Sequence, residues 1–359
     1  MSRSLKLAID GVPAAKAQKT GVEWYVWHLL RAMNTLRPDL SVTVYTHRPL
    51  DFELKGRWQN KVVKAPRGMW KAAFSFRLIM DRPDILFVPG DALPLVTVGK
   101  TVTTIHDLAF LDDPTLYNRH ERVRQGWAHK RAVKKAARLI AVSGVTKQAL
   151  MRHYGVDERR VHQVPLAIDT EVFHPAARNR LPEVQVTYNL PDDYFVFVGR
   201  LDERKGVADL IRTFIAWRKD QTLVLIGRPG EMGYDEIHQL ASHDGIRELG
   251  YINANDTATI LSGARAFLFP TKKEGFGIPI LEAMAVGTTV ICSDLSVLRE
   301  VGGDVPIFVK RDDVNAWQDA FNEVMARSQR DRIARGFDRT KWCTWEATAR
   351  ATLSVLCNI

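Results

Sequence analysis

The sequence predicts an α/β protein built from two doubly wound, Rossmann-like domains, and three observations carry that expectation. The chain has 359 residues, more than one typical hydrophobic core accommodates. Short apolar runs alternate with helix-period segments along it, as buried parallel strands and their crossover helices do. The alternation lapses once, over the polar, three-proline stretch 175–193, and then starts again.

Taken in order, 5–9 reads as the first strand, followed by a glycine-containing loop and a helix over 23–33. Residues 41–45, 85–88, 101–105 and 139–142 are further short strands with helical stretches between several of them. After the presumed linker at 175–193, strands are expected at 194–198, 222–226, 247–249, 266–269 and 289–291, with helices over 207–217 and 234–241. The last segment, 341–357, has a helical pattern with Trp342 and Trp345 near its start. This divides the chain into 1–182, 183–337 and a C-terminal helical piece, 338–359, expected to pack back toward the first domain.

Composition places the chain among ordinary globular proteins, with 46% hydrophobic and 26% charged residues. The start, MSRSLKLAIDG, has too short an apolar run for a signal peptide, and no run reaches membrane-spanning length. Cys292, Cys343 and Cys357 are far apart, which fits a reduced, cytoplasmic setting and neither a zinc site nor a disulfide framework. Charge is uneven. Residues 1–185 hold 30 Lys+Arg against 17 Asp+Glu, and the remainder 21 against 24. A basic first half suggests a polyanionic partner, with nucleic acid and an anionic membrane both candidates on composition.

Chemistry is sought in loops after strands, because ligands of open α/β sheets bind outside the carboxyl ends. The stretch 270-PTKKEGFGIPILEAMAVG-287 sets Glu274 before the turn Gly275-Phe276-Gly277, then starts an apolar helix at Pro279 that carries Glu282. A helix N-terminus of this kind suits a phosphate, with carboxylates beside it to hold sugar hydroxyls. Plain capping accounts for both glutamates equally well. After the strand at 194–198 comes 199-GRLDERKG-206, where Arg200 and Lys205 would suit a diphosphate, or form a solvated charged loop balanced by Asp202 and Glu203. His106-Asp107 ends the strand at 101–105, a place where a histidine can reach a ligand, although a lone histidine is more often structural. Gly21 in 19-KTGVEW-24 opens a helix and lets backbone approach a ligand. The chain lacks G-x-G-x-x-G, a P-loop, G-x-S-x-G, H-E-x-x-H and D-x-D; its adjacent aspartates, such as Asp112-Asp113, read as turn residues. A bound diphosphate would then be balanced by Arg200, Lys205 and helix-terminal amides, without magnesium.

These residues resemble the retaining GT-B glycosyltransferases of family 4. The resemblance covers nearly the whole chain through TGVEWYVWHLLRAM, TVTTIHDLAF, ARLIAVSGVTKQAL, VPLAIDTEVFHP, VFVGRLDERKG and KEGFGIPILEAMAVGTTVICSDLSVLREVGG. The E-x7-E element, Glu274 to Glu282, is the most specific part. The resemblance implies two Rossmann-like domains facing across a cleft and a nucleotide-diphosphate sugar as donor, with no metal and no other cofactor. It implies that Glu274 contacts the donor sugar and Glu282 the ribose. Arg200, Lys205 and the amides of Gly275, Phe276 and Gly277 would take the diphosphate. His106 would touch the donor sugar, Gly21 would lie beside acceptor and phosphate, and Arg228 and Tyr251 would border the base. Retention is explained in the family by same-face attack assisted by the leaving phosphate, so no enzymic nucleophile is nominated. The chain departs from many relatives at Pro165-Leu166-Ala167-Ile168-Asp169, where they carry asparagine–glycine, and at Glu23-Trp24-Tyr25, which leaves acceptor recognition unassigned.

The segment 64-KAPRGMWKAAFSFRLIM-80 mixes Lys64, Arg67, Lys71 and Arg77 with Trp70, Phe74 and Phe76, and a second basic cluster runs over 119–138. If 64–80 is helical, Trp70, Phe74 and Leu78 share one side, as an interfacial helix on anionic lipid or as part of a core. Many relatives extend lipid-linked glycans. The expectation is hexosyl transfer, mannosyl first, to a glycan or lipid-linked acceptor by a cytoplasmic protein peripheral on the inner membrane face. Rival readings are a non-catalytic nucleotide-sugar or polyanion binder on the same fold, a sugar-nucleotide epimerase, and an inverting transferase. A nucleic-acid partner leaves the glutamate–glycine turn unexplained and is not expected.

Overall fold

A computed structural model describes residues 5–66, 68–90, 92–218 and 220–359. Arg67 lies outside the described residues. The chain forms two compact units, one made of the chain up to Pro114 with Arg119–Ala167 and Cys343–Ile359, the other of Thr115–Asn118 and Ile168–Trp342.

The first unit runs β1 (Lys6–Asp10), α1 (Gly21–Leu36), β2 (Ser41–Thr46), β3 (Trp58–Val62), α2 (Trp70–Asp81), β4 (Ile85–Val88), β5 (Lys100–Ile105), α3 (Ala109–Asp112), α4 (Arg119–Lys135), β6 (Arg138–Ala141), α5 (Gly144–Tyr154) and β7 (Val161–Gln163). Among the described residues its strands make one seven-stranded sheet in the order β3-β2-β1-β4-β5-β6-β7, every pair parallel. All four residues of β4 are buried, as a central strand covered on both faces requires. The sequence reading passed over β3 and β7, the two edge strands. Each has a water-facing side, so WQNKV and VHQ carry no apolar run.

The second unit runs α6 (Leu181–Tyr188), β8 (Tyr194–Val198), α7 (Val207–Trp217), β9 (Thr222–Ile226), α8 (Tyr234–Ala241), β10 (Ile246–Gly250), α9 (Ala254–Gly263), β11 (Phe267–Phe269), α10 (Ile278–Ala285), β12 (Val290–Ser293), α11 (Ser296–Gly302), β13 (Ile307–Val309), α12 (Val314–Ala326) and α13 (Arg330–Thr340). Its sheet is six-stranded among the described residues, parallel throughout, in the order β10-β9-β8-β11-β12-β13. The last helix, α14 (Trp345–Cys357), belongs to the first unit and packs on α1. There the Trp345 ring stacks on His28 with centroids 5.0 Å apart, and Thr348 Oγ1 donates to the Pro165 carbonyl at 2.9 Å.

Two expectations are corrected. The stretch 175–193 is not an irregular linker: a 3-10 turn (Pro175–Arg180) leads into α6, with prolines at helix-starting positions where their missing N–H is harmless. It is tied to α9 by Tyr188 Oη donating to Asp256 (2.9 Å) and Thr259 Oγ1 donating to the Ala177 carbonyl (3.2 Å). A division after 182 therefore falls inside a packed helix; the units part between Ala167 and Ile168, and again between Trp342 and Cys343. Of the two readings left open for 64–80, the core one holds: the Trp70–Phe74–Leu78 side of α2 faces inward, Phe74 and Leu78 are fully buried, and Phe74 lies 5.2 Å from the Tyr45 ring. Among the described residues no helix is long and apolar enough to cross a membrane.

Candidate active site

The second sheet changes direction at β8. From there the chain adds β9 and β10 on one side, then β11, β12 and β13 on the other. The loops leaving β8 and β11 consequently lie side by side at the carboxyl edge, the switch point where open sheets bind ligands.

Asp202 organises the β8 loop by accepting from the Lys205 N–H at 3.0 Å, which closes the 3-10 turn Glu203–Lys205. Gly206 follows with φ +68°, and a Cβ there would sit 2.3 Å from the Pro270 carbonyl oxygen of the β11 loop. Only glycine lets the loops meet so closely. The Lys272 N–H then donates to the Arg204 carbonyl at 2.8 Å and fastens them. The result is a part-buried ion pair between Lys205 Nζ and Glu274 Oε1, with the ammonium 5.2 Å from the Phe269 ring centroid. Burial lowers the Lys205 pKa, while the Glu274 carboxylate pulls the other way. Arg200 is exposed, and its side chain makes no hydrogen bond or ion pair among the described residues.

Gly277, at φ +99°, caps α10, and the side chain of Phe276 is buried, so the 275–277 turn presents mainly backbone. Glu282 stands one turn into α10, and its carboxyl makes no hydrogen bond among the described residues. Burial first, and the charge of Asp169 second, raise its pKa from 4.5 to about 7. Because the folded value exceeds the unfolded one, ionising Glu282 costs stability progressively between those pH values and fully above the higher. The cost is at most about 3 kcal/mol. Glu282→Gln is expected to melt above the unsubstituted protein at pH 8 and level with it near pH 4.5, as thermal unfolding across that range would register.

At the neighbouring strand ends, the Arg228 guanidinium lies 4.3 Å over the ring of Tyr251, which is 55% exposed. The Leu201 N–H donates to the Arg228 carbonyl (2.9 Å) and the Gly227 N–H to the Gly250 carbonyl (2.8 Å), so these loops join that of β8.

His106 and Gly21 belong to the first unit. His106 follows β5 directly; its Nε2 is 3.2 Å from the Pro89 carbonyl, and Tyr25 meets its ring edge-on at 4.8 Å. The Tyr25 hydroxyl is in turn 3.1 Å from Thr104 Oγ1. Gly21 is the first residue of α1, beside a capping box in which the Thr20 N–H donates to Glu23 Oε2 at 3.1 Å. A Cβ at Gly21 would have no atom within 4 Å, so the unit's own packing does not require glycine there.

The structure thus gathers Arg200, Lys205, Glu274, the 275–277 turn, Glu282, Arg228 and Tyr251 along one carboxyl edge, and holds His106 against Tyr25 on another. The sequence reading missed Phe269, Tyr25 and Asp169 as neighbours of these groups. It took Asp202 for a balancing charge, although an aspartate three residues before Lys205 is itself a turn-capping signal. Among the described residues no group of three or more His, Cys, Asp or Glu side chains is placed to hold a metal ion.

Two family models match the chain: Glycosyltransferase Family 4 over residues 19–172 and Glycosyl transferases group 1 over residues 192–327. The chain is 28% identical over 270 residues to the O-antigen chain mannosyltransferase B of Escherichia coli, covering 71% of this chain and 69% of that protein. It is 34% identical over 191 residues to the alpha-maltose-1-phosphate synthase of Mycobacterium tuberculosis, covering 50% of this chain and 49% of that protein, so it spans about half the synthase's length. Among solved structures it resembles the sucrose-phosphate synthase of Thermosynechococcus elongatus, with a TM-score of 0.79 at 20% identity over 99% of this chain and 98% of that one. It also resembles Anabaena HepE in complex with UDP-glucose, with a TM-score of 0.75 at 14% identity over 99% of both chains. With the two parallel sheets, these likenesses establish the two-domain, Rossmann-like GT-B fold.

Proposed function

Because the chain belongs to glycosyltransferase family 4, the group 1 enzymes, we propose that it moves a hexosyl group, mannosyl first, from a nucleotide-diphosphate sugar to a glycan or lipid-linked acceptor with retention of configuration. Glycosyl transfer from a nucleotide sugar follows from the family. The mannosyl donor rests on similarity to the O-antigen mannosyltransferase. The observation that carries the site assignment is the part-buried Lys205–Glu274 pair at the switch point.

In this reading the bond between the donor's anomeric carbon and the diphosphate oxygen breaks. Charge collects on the departing diphosphate while the sugar gains oxocarbenium character. Arg200, Lys205 and the amides of the 275–277 turn receive the leaving charge in place of a metal ion, since the sequence has no D-x-D. Glu274 holds sugar hydroxyls, Glu282 the ribose, and Arg228 with Tyr251 the base. His106 contacts the donor sugar, and Gly21 leaves room for acceptor and phosphate. The acceptor hydroxyl attacks from the face the diphosphate leaves and gives its proton to the leaving phosphate. The protein acts in the cytoplasm, peripheral on the membrane's inner face.

The test is thermal unfolding against a panel of nucleotides and nucleotide sugars with EDTA present. One diphosphate nucleotide at 100-fold over its dissociation constant is expected to stabilise the protein by about 2.7 kcal/mol. If no nucleotide moves the transition, the donor site is misassigned. The anomeric configuration of the product, by NMR, then separates retention from inversion, and net transfer separates a transferase from an epimerase or a binder.

A further inference from the structure

The first sheet has a switch point of its own. From β1 the chain adds β2 and β3 on one side, then β4, β5, β6 and β7 on the other. The loops leaving β1 and β4 therefore flank a crevice at the carboxyl edge, the place where open sheets take ligands. Asp10 ends β1 there, and Pro89 and Gly90 follow β4. His106, just after β5, borders the same loop with its Nε2 3.2 Å from the Pro89 carbonyl.

Asp10 is half satisfied. Its Oδ1 accepts from the Val12 N–H at 3.1 Å, which shapes the start of the β1–α1 loop. Its Oδ2 makes no hydrogen bond or ion pair among the described residues, although the residue is part-buried. Burial raises the Asp10 pKa from 3.8 to about 6, and the Val12 N–H and the charge of Lys71 offset that only in part. An acceptor oxygen left over in a part-buried place is a site for a donor. Across the crevice, a Cβ at Gly90 would meet no atom within 4 Å, and the Gly90 backbone is not left-handed. Neither packing nor conformation requires glycine there, so the space beside it is open.

The chemistry selects among ligands. A metal ion needs several protein ligands, and among the described residues no group of three or more His, Cys, Asp or Glu side chains is placed to hold one. An anionic group would meet the Asp10 carboxylate, and a cationic one would meet the charge of Lys71. A neutral hydroxyl donates its hydrogen and brings no charge. A saccharide presents several of them.

We propose that Asp10 binds the acceptor: its Oδ2 accepts a hydrogen bond from a neutral saccharide hydroxyl, with the sugar ring in the open space beside Gly90. This assignment rests on the transferase reading above and narrows its acceptor to a saccharide. Asp10 selects and orients; the attacking hydroxyl still gives its proton to the leaving phosphate.

The test is steady-state transfer to methyl α-D-mannopyranoside and to α-linked mannotriose, from the nucleotide sugar that shifts melting. Asp10→Asn keeps an acceptor for the Val12 N–H and removes the carboxylate. It is expected to raise the acceptor KM roughly 10–100-fold, as loss of a hydrogen bond to a charged group does, with kcat lowered less than about threefold. Its melting temperature at pH 8 is expected to be no lower than that of the unsubstituted protein, because a raised carboxyl pKa makes the ionised group a cost above that pKa. Gly90→Ala is expected to raise the same KM at unchanged melting temperature. An acceptor KM within about twofold of the unsubstituted value in both variants overturns the proposal. So does a lower melting temperature in Asp10→Asn with KM unmoved, which would leave Asp10 a loop-shaping role only. Transfer to neither saccharide, by protein whose melting a nucleotide does shift, overturns it while the donor site stands. If no nucleotide shifts melting, the donor site falls and this assignment with it.

Discussion

Lys205→Met is expected to lower kcat/KM for sugar transfer by roughly 10²–10³-fold, the usual cost of removing one donor to a developing anion. Melting is expected to fall, by less than the roughly 3–5 kcal/mol that loss of one partner costs a fully buried pair, because Glu274 is left without its counter-ion at a part-buried site. Burial lowers the Lys205 pKa even with Glu274 in contact, so the resting ammonium is under-compensated. Holding it charged costs stability at neutral pH, a cost that fades as pH rises from its lowered pKa to the ordinary lysine value. A cation kept at such expense has room for more negative charge, and a diphosphate supplies it. Steady-state kinetics with a nucleotide sugar, beside thermal unfolding of the same preparation, make the comparison. Activity within threefold of the unsubstituted protein would remove Lys205 from the machinery. Arg200→Ala is the useful companion, because Arg200 is exposed and its loss should weaken nucleotide binding with no change in melting.

The pairing on which that prediction rests was half legible in the sequence. Strands β8 and β9 are central and buried, so YFVFV and TLVLI announce themselves as apolar runs and their boundaries were read correctly. The glycine turn before α10 and the basic loop after β8 are likewise local patterns. What no local pattern carries is that β11 lies beside β8 although β9 and β10 intervene in the chain. That strand order brings together Lys205 and Glu274, 69 positions apart. The same limit hid Asp169 from Glu282 and Tyr25 from His106. Three of the four edge strands failed for the opposite reason: β3, β7 and β13 are covered on one side only, and their signal is too weak to separate from loop, whereas edge strand β10 was read to within a residue at each end. On α2 the spacing fixes that Trp70, Phe74 and Leu78 share a side and leaves the lipid and core readings both open; only packing decides which side meets the core.

Gly206→Ala is expected to destabilise the protein by about 2–4 kcal/mol and to abolish the nucleotide melting shift, whereas Gly21→Ala leaves stability unchanged. At Gly206 the backbone is in the left-handed region, φ +68°, and a methyl group would lie 2.3 Å from the Pro270 carbonyl oxygen. Left-handed backbone costs a non-glycine residue roughly 1–2 kcal/mol, and the clash must push the β11 loop away from the β8 loop at additional cost. That displacement separates Lys205 from Glu274, so donor binding goes with stability. Gly21 is the converse case. A methyl there meets no atom of the protein within 4 Å, so packing within the first unit gives no reason for glycine. A loss of transfer in Gly21→Ala at unchanged melting temperature would therefore come from a ligand approaching that backbone. Equal loss of stability in both variants would mean that the two glycines do the same work, against the geometry that distinguishes them. Thermal unfolding with and without nucleotide, on both variants together, decides between these outcomes.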